Sequence, residues 1–457
     1  MISLYLKNIM VYMKRVSTTI LILLFLGMTV LSYSLYGQNE NEMKYWNQFR
    51  GPNGDGQSPA SNLPIEFNET KNIRWKTPIH DEGYSSPVVW GNQIWLTTAR
   101  RDGKELFAIC VDLESGNIIH DIKVFDVVEP QVEHPGLNSH ASPTPIVEEG
   151  RIYVHYGTYG TACLDTKTGD ILWERRNLNC DHRVRPASSP ILDENRLFLT
   201  FDGVDAQFIA ALDKNNGDTL WLKHRKVDSN FEDVLKAKGI KDTEKTQKEK
   251  PNDNRKSYAT PTIITYQGKK QLISPAAEVT ISYDPASGDE LWRVRHEGWG
   301  WNVACRPIFA HNRVYFTTGI EKVLLAVDPS GTGDVTESHI VWKVRKGAPE
   351  IPSPLVIDDL IFMVNEGGIV ICVEAENGNL VWRNRIGGKY WASPVYAGGN
   401  IYFFNTDGRV SVISADREFN LLSKNEFPDG FIASGAVAGD TLILRSETHL
   451  YCIEDKS

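Results

Sequence analysis

The chain has 457 residues, of which 41% are hydrophobic and 23% charged, enough apolar surface for one large folded domain or two ordinary ones. Forty-nine Lys and Arg against 58 Asp and Glu give a formal net charge of −9. That balance argues against a nucleic-acid partner, which calls for a basic face.

In chain order, the first element is an apolar run, TTILILLFLGMTVLSYS (18–34), preceded by Lys7, Lys14 and Arg15. A basic segment followed by a run of this length reads as a secretory signal over residues 1–37, with Ser32, Ser34 and Gly37 as cleavage points. The run is near the lower length limit of a membrane span, so an uncleaved anchor stays open as the alternative and as the one route to a membrane. No cysteine lies nearby to carry a lipid. The expectation is a periplasmic or secreted protein with an N-terminal arm at 38–71 and a body at 72–457.

The body repeats. Tetrads ending mostly in proline begin at Tyr84 (YSSP), His140 (HASP), Ala187 (ASSP), Tyr258 (YATP), Ala304 (ACRP), Ile351 (IPSP), Trp391 (WASP) and Ile432 (IASG). Eight copies at this spacing mark a propeller or a solenoid. Each tetrad leads into a short apolar strand, then a second strand rich in β-branched and aromatic residues, such as RIYVHY (151–156) and NIYFFN (400–405). A third strand ends in Asp, as in ACLD (162–165), and a glycine turn leads to a fourth carrying Trp, as in TGDILW (168–173). The last copy ends after its third strand. The missing fourth is found at NIRWKTPI (72–79), whose Trp75 matches Trp173, Trp221, Trp292, Trp342 and Trp382. The prediction is an all-β fold, an eight-bladed β-propeller of four-stranded antiparallel blades, with the last blade closed by an N-terminal strand. The Trp column should pack between blades. Residues 225–257 are a charged insertion in which FEDVLKAKG (231–239) could form a short helix, and residues 330–340 are a smaller bulge in the fifth blade.

Cys110, Cys163, Cys372 and Cys452 share one strand position with Ala211 and Ser282, so they read as small packed thiols. Cys180 and Cys305 fall elsewhere, and whether they face each other stays open.

The tandem D-x-x-x-G-x-x-x-W motifs resemble the quinoprotein-like eight-bladed propellers, a group that includes the pyrroloquinoline-quinone (PQQ) dehydrogenases and the assembly lipoprotein BamB. WNQFRGPNGDGQSP (46–59), NSHASPTP (138–145) and NCDH (179–182) are similar to an exported branch of PQQ-like repeat proteins. The resemblance covers roughly residues 45–457. It implies the propeller fold and makes PQQ with calcium a possible cofactor. This chain lacks the adjacent cysteines that those dehydrogenases carry.

Each tetrad opens at one rim of a propeller, so the segments before the tetrads should converge on one funnel. They bring aromatics (Tyr84, Tyr258, Trp299, Trp301, Tyr390, Trp391), histidines (His134, His140, His182) and cations (Arg183, Arg185, Lys256, Arg306, Lys389). Aromatic faces suit sugar rings or a planar cofactor, and Arg and Lys suit carboxylate or phosphate. Tyr84, Arg185, Trp301, Arg306, Lys389 and Trp391 are the expected ligand contacts. His140, Tyr258 and His182 are the candidates for proton transfer, His140 because it takes the first tetrad place. Cys180-Asp181-His182 matches no established zinc spacing, and no metal site is assigned. Arg306 stands where other tetrads have Ser or Thr, so an internal salt bridge is expected for it. Arg50 reads as part of an N-terminal clasp. Three functions follow. The first is an exported module that binds a small molecule, carbohydrate or protein at the funnel. The second is a quinone oxidoreductase. The third is an acid/base lyase or hydrolase acting on a carbohydrate.

Overall fold

Short alternating strands joined by glycine turns have to pair locally, and they do so eight times. The computed structural model describes residues 45–131, 138–226, 235–236, 239–249, 252–296 and 302–455. Residues 45–457 form one unit, a ring of eight antiparallel sheets that makes an eight-bladed propeller. Blade 1 pairs Val88–Trp90, Gln93–Ala99, Glu105–Asp112 and Ile118–Asp126 in order from the axis outward. Blades 2 to 7 repeat that order. In blade 8 the outermost strand is Ile73–Pro78, which pairs antiparallel with His449–Ile453 near the C-terminus. The strand Ile73–Pro78, first among the described residues, therefore covers what would be an open edge of the last sheet.

The motif that recurs in the outer half of each blade has a geometric cause. In every blade the pairing of the third and fourth strands slips at the same place, a β-bulge next to the aromatic column. At that slip a small residue faces a large one: Cys163 opposite Trp173, Ala211 opposite Trp221, Ser282 opposite Trp292, Cys372 opposite Trp382. The packed-thiol reading of Cys110, Cys163, Cys372 and Cys452 holds, because all four are buried and free. Cys180 and Cys305 are also free and do not meet. Cys305 Sγ lies 3.2 Å from the carbonyl of Pro352, and Cys180 Sγ lies 3.6 Å from the His182 ring.

The tryptophans lock one blade to the next. Indole N–H groups of Trp75, Trp173, Trp221, Trp342 and Trp382 donate to carbonyls in the following blade, at Leu113, Lys214, Pro285, Ala375 and Asp416. Trp292 instead donates to Gln271, which passes the link to the carbonyl of Pro329 in blade 5. The indoles of Trp75, Trp173, Trp221 and Trp342 also lie on a turn glycine of the neighbouring blade, at Gly116, Gly217, Gly288 and Gly378. Gly217 sits at φ +76°, and a Cβ there would come 2.7 Å from the Trp173 ring, so both backbone angle and space demand glycine. The turn Asp holds the same loop from the other side, as Asp165 Oδ1 accepts from the amides of Lys167 and Thr168. His120 replaces Trp in blade 1 and stacks on Trp95 at 5.6 Å.

The fifth-blade bulge has a structural task. Its residues Gly333–Asp334 add as a parallel strand to the outer edge of blade 4. Most of FEDVLKAKG lies outside the described residues; the helix described in the insertion is Thr243–Glu249. Among the described residues no helix is long and apolar enough to cross a membrane, and the apolar run 18–34 lies outside them.

The burial of the Trp column sets its energetic weight. Trp292 is fully buried, whereas Trp382 is only half-buried. Trp292→Ala is expected to lower the unfolding free energy by about 3–5 kcal/mol, and Trp382→Ala by clearly less, as read from urea unfolding midpoints. Equal losses would contradict the inter-blade role given to burial here.

Candidate functional site

The axis is built from the tetrads. Their third residues form an annulus in which the backbone N–H of each blade donates to the side-chain hydroxyl of the next. Ser86 N–H reaches Thr144 Oγ1 at 2.9 Å, Thr144 reaches Ser189 at 3.0 Å, and Ser189 reaches Thr260 at 2.9 Å. On the other side Arg306 reaches Ser353 at 3.0 Å, Ser353 reaches Ser393 at 2.9 Å, Ser393 reaches Ser434 at 2.9 Å, and Ser434 returns to Ser86 at 3.1 Å. Seven links close the circle except between Thr260 and Arg306, where blade 5 offers no hydroxyl.

This annulus corrects one register. In blade 2 the partner is Thr144, and the inner strand begins at Ile146 just as that of blade 1 begins at Val88. The tetrad there is SPTP (142–145) and not HASP. HASPTP holds two overlapping candidates two residues apart, and the hydrogen-bond ring selects the second. Ser142, not His140, takes the first place.

The first places line an axial cavity of about 130 Å3. They supply three aromatics (Tyr84, Tyr258, Trp391), four aliphatics (Ala187, Ala304, Ile351, Ile432) and Ser142. Six ring hydroxyls lie below them, and Phe49 of the N-terminal arm forms the floor. The arm crosses the axis by pairing with the middle residues of inner strands. Trp46 exchanges backbone hydrogen bonds with Val89, the amide of Val147 donates to the carbonyl of Asn47, and Gly56 and Ser58 bracket Tyr396. Gln57 Nε2 donates to the carbonyl of Val356 at 2.9 Å.

Arg50 and Arg306 hold this arm in place. The Arg50 guanidinium donates to the carbonyls of Asp55, Pro354 and Ser353 and is 2% exposed, as the clasp reading expects. Arg306 donates to the Phe49 carbonyl, to Gln48 Oε1 at 3.1 Å and to Thr262 Oγ1 at 3.1 Å. The expected salt bridge is absent among the described residues: its partners are carbonyl, amide and hydroxyl oxygens. A Cβ on Gly54 would fall 2.2 Å from the Arg306 guanidinium carbon, so the arm lies flat on it. Burial, the first cause, pushes Arg50 down to about 10 and Arg306 to about 9.

The histidines turn away from the axis. His140 is 1% exposed, with Nε2 at 3.0 Å from the carbonyl of Gln131 and its ring 5.6 Å from that of Tyr159. Because that contact needs a donor, the proton of neutral His140 sits on Nε2. His182 Nε2 accepts from the amide of Thr158 at 3.2 Å, so its proton sits on Nδ1. Tyr258 lines the cavity but spends its hydroxyl on the carbonyl of His182 at 3.0 Å. Thus Tyr258 and His182 are brought together, whereas His140 meets His182 only through Gln131, whose Oε1 accepts from the His182 amide. Gln131 also donates to the carbonyl of Cys180 and to Tyr159 Oη. This hub has no sequence signal, being one glutamine in a loop of variable length.

The remaining candidates scatter around the rim. Tyr84 donates to Glu82 at 3.1 Å. Arg185 is buried with φ +70° and donates to the carbonyl of Asn138 at 2.6 Å, while Asn138 donates back to the carbonyls of Arg185 and Pro186. Lys389 is exposed near Trp391. Trp301, Trp299 and His134 lie outside the described residues. Sequence reasoning missed Arg445, a buried guanidinium on blade 8 that donates to the carbonyls of Ser85 and Thr97 and to Ser85 Oγ.

A quinone held on calcium does not fit this axis. Pockets for ligands of that size run to about 300–1,000 Å3, and the axial cavity is about 130 Å3. Calcium needs an oxygen-rich set with carboxylates, and no Asp, Glu or Asn lines the cavity. Among the described residues no group of three His, Cys, Asp or Glu is placed to hold a metal.

Comparison with known proteins agrees with the fold. The family described as outer membrane protein assembly factor BamB matches residues 108–234 and 205–457. No curated protein sequence matches the chain. BamB from Moraxella catarrhalis superposes with a TM-score of 0.57 at 14% identity, covering 83% of this chain and 99% of that one. A europium-containing methanol dehydrogenase gives 0.64 at 12% identity, covering 90% and 91%. The quinohemoprotein alcohol dehydrogenase from Comamonas testosteroni gives 0.64 at 10% identity, covering 92% and 82%.

Three buried neutral histidines make stability depend on pH. Burial lowers His140 and His182 from the ordinary 6.5 to about 4 and His155 to about 3, with the nearby Arg185 cation adding to the effect on His140. Above pH 6.5 both folded and unfolded chains keep these rings neutral, and their contribution is fully present. As pH falls below 6.5 the unfolded chain takes up protons that the folded chain refuses, and the contribution is lost as pH falls through the folded values. The unfolding free energy should drop by up to about 1.4 kcal/mol per pH unit for each histidine. His155→Gln should remove about one proton from that slope in denaturant titrations between pH 6.5 and 4. An unchanged slope would contradict the buried, neutral state.

Proposed function

The chain belongs to the family described as outer membrane protein assembly factor BamB, and from that premise we propose that it is an exported, non-catalytic module that docks a protein partner on the funnel face. One observation carries the reading. Every residue that sequence analysis put forward for proton transfer is buried with a polar atom committed to backbone: His140 Nε2 to Gln131, His182 Nε2 to Thr158 and Tyr258 Oη to His182. A general acid or base has to reach substrate with a free, titrating atom. Rings whose folded pKa values lie near 4 are neutral and engaged at neutral pH.

The loops support a surface role. The three longest connections between blades, 127–145, 176–190 and 225–261, each lead into an inner strand, so their described residues belong to the funnel face. The opposite end of the axis is crossed by the arm. A face with long loops around a small pocket suits recognition by a broad surface more than capture of a large molecule. The basic segment and apolar run at the N-terminus support export to the periplasm or the medium. The small cavity and its lining weigh against the quinone oxidoreductase reading, and the committed histidines weigh against the acid/base reading.

Photo-crosslinking residues placed at Lys389 and Arg101, both exposed on the funnel face, test the docking. The same residues at Lys167 and Asn377, on exposed turns of the opposite face, serve as controls. Partner adducts from the first pair alone are the expected result in the native envelope. Adducts from the control pair alone, or equal yields from both faces, would overturn the assignment.

A further inference from the structure

The hydroxyls of the axial annulus raise a question of hydrogen-bond accounting. Each of Ser86, Thr144, Ser189, Thr260, Ser393 and Ser434 already accepts one backbone N–H from its neighbour. A hydroxyl also has a proton to give. None of these six donates to a protein acceptor among the described residues, and each is at most 6% exposed. All six line the same axial cavity. Six buried O–H donors therefore converge on a space of about 130 Å3 without an acceptor.

Charge points the same way. The floor of the cavity is Phe49, whose carbonyl is bound by Arg306 and whose chain neighbour is Arg50. These two guanidinium groups are 3% and 2% exposed. Asp55 is the one carboxylate that acts on both. Two cations and one carboxylate leave a net positive charge behind Phe49, outside the cavity lining itself. A buried charge without a counter-charge is costly, and a mobile counterion is the simplest remedy.

We infer that the axial cavity is a binding site for a small monovalent inorganic anion of halide size, held by the hydroxyl annulus above the Arg50–Arg306 pair. Hydroxyl groups set in a ring, each with a proton free to turn inward, suit a spherical acceptor, and a cavity this small excludes larger organic anions. The site is independent of the partner-docking reading, because it lies on the axis and uses none of the rim loops.

Crystals of the full chain soaked in sodium bromide test the inference. An anomalous peak on the axis, between the annulus and Phe49, is the expected result. In solution the thermal midpoint should rise by a few degrees in sodium bromide relative to sodium gluconate at equal ionic strength. Arg306→Ser returns a hydroxyl to the eighth place and removes the net charge, so both the peak and the bromide-specific rise should be lost. Water alone on the axis at saturating bromide, or bromide confined to the outer surface, would overturn the inference. So would an undiminished peak in the variant. The diffraction result on the unsubstituted chain stands even if the variant fails to fold.

Discussion

The structure depends on one circular set of hydrogen bonds. A ring of eight sheets has to fix the distance from each inner strand to the next, or the toroid shears. Here the amide of each tetrad's third residue donates to the hydroxyl of the next blade, so a single residue type sets the spacing. These bonds are buried, where a lost partner costs about 1–3 kcal/mol. The Trp column does the same task at the outer radius, by area and by an indole bond to the next blade at Trp75, Trp173, Trp221, Trp342 and Trp382. The inner circle fixes the axis, and the outer one stops the blades from splaying.

The exception in the circle organises the N-terminal arm. Blade 5 has Arg306 where a hydroxyl belongs, and the gap between Thr260 and Arg306 is where the arm is gripped. Arg306 holds Phe49 and Gln48, and Arg50 in return holds Ser353 and Pro354 of the next blade. A defect in the ring has become an anchor, which places an aromatic floor on the axis. The position of Phe49 at the axial cavity rests on that grip.

Much of the fold was legible in the sequence, because its signals are periodic. Eight tetrads, seven of them ending in proline, and a Trp column present in six blades report constraints of the repeat, and the displaced fourth strand reports its closure. The small cysteines were legible for the same reason, since they face the large ring at a repeated bulge. The site was far less legible. HASPTP contains two tetrads in one string, and only the hydrogen bond from Ser86 decides between them. His140 and His182 have residue types that suit catalysis, yet their rings are held by Gln131 and Thr158, nine and 24 positions away, whose part in this no repeat signals. Arg306 was visible as an anomaly, but its partners Gln48 and Phe49 sit more than 250 positions away in a segment without periodicity.

The family match and the structural neighbours establish a PQQ-like propeller, and the axis departs from what a quinone would need. The same scaffold here encloses a small axial cavity in place of a large central pocket. Amide hydrogen exchange at residue resolution tests the ring on which this account rests. The account predicts slow exchange at Ser86, Thr144, Ser189, Arg306, Ser353, Ser393 and Ser434, and markedly faster exchange at Thr260, whose amide has no hydroxyl to meet. Protection of Thr260 equal to the other seven, or rapid exchange around the whole circle, would contradict it.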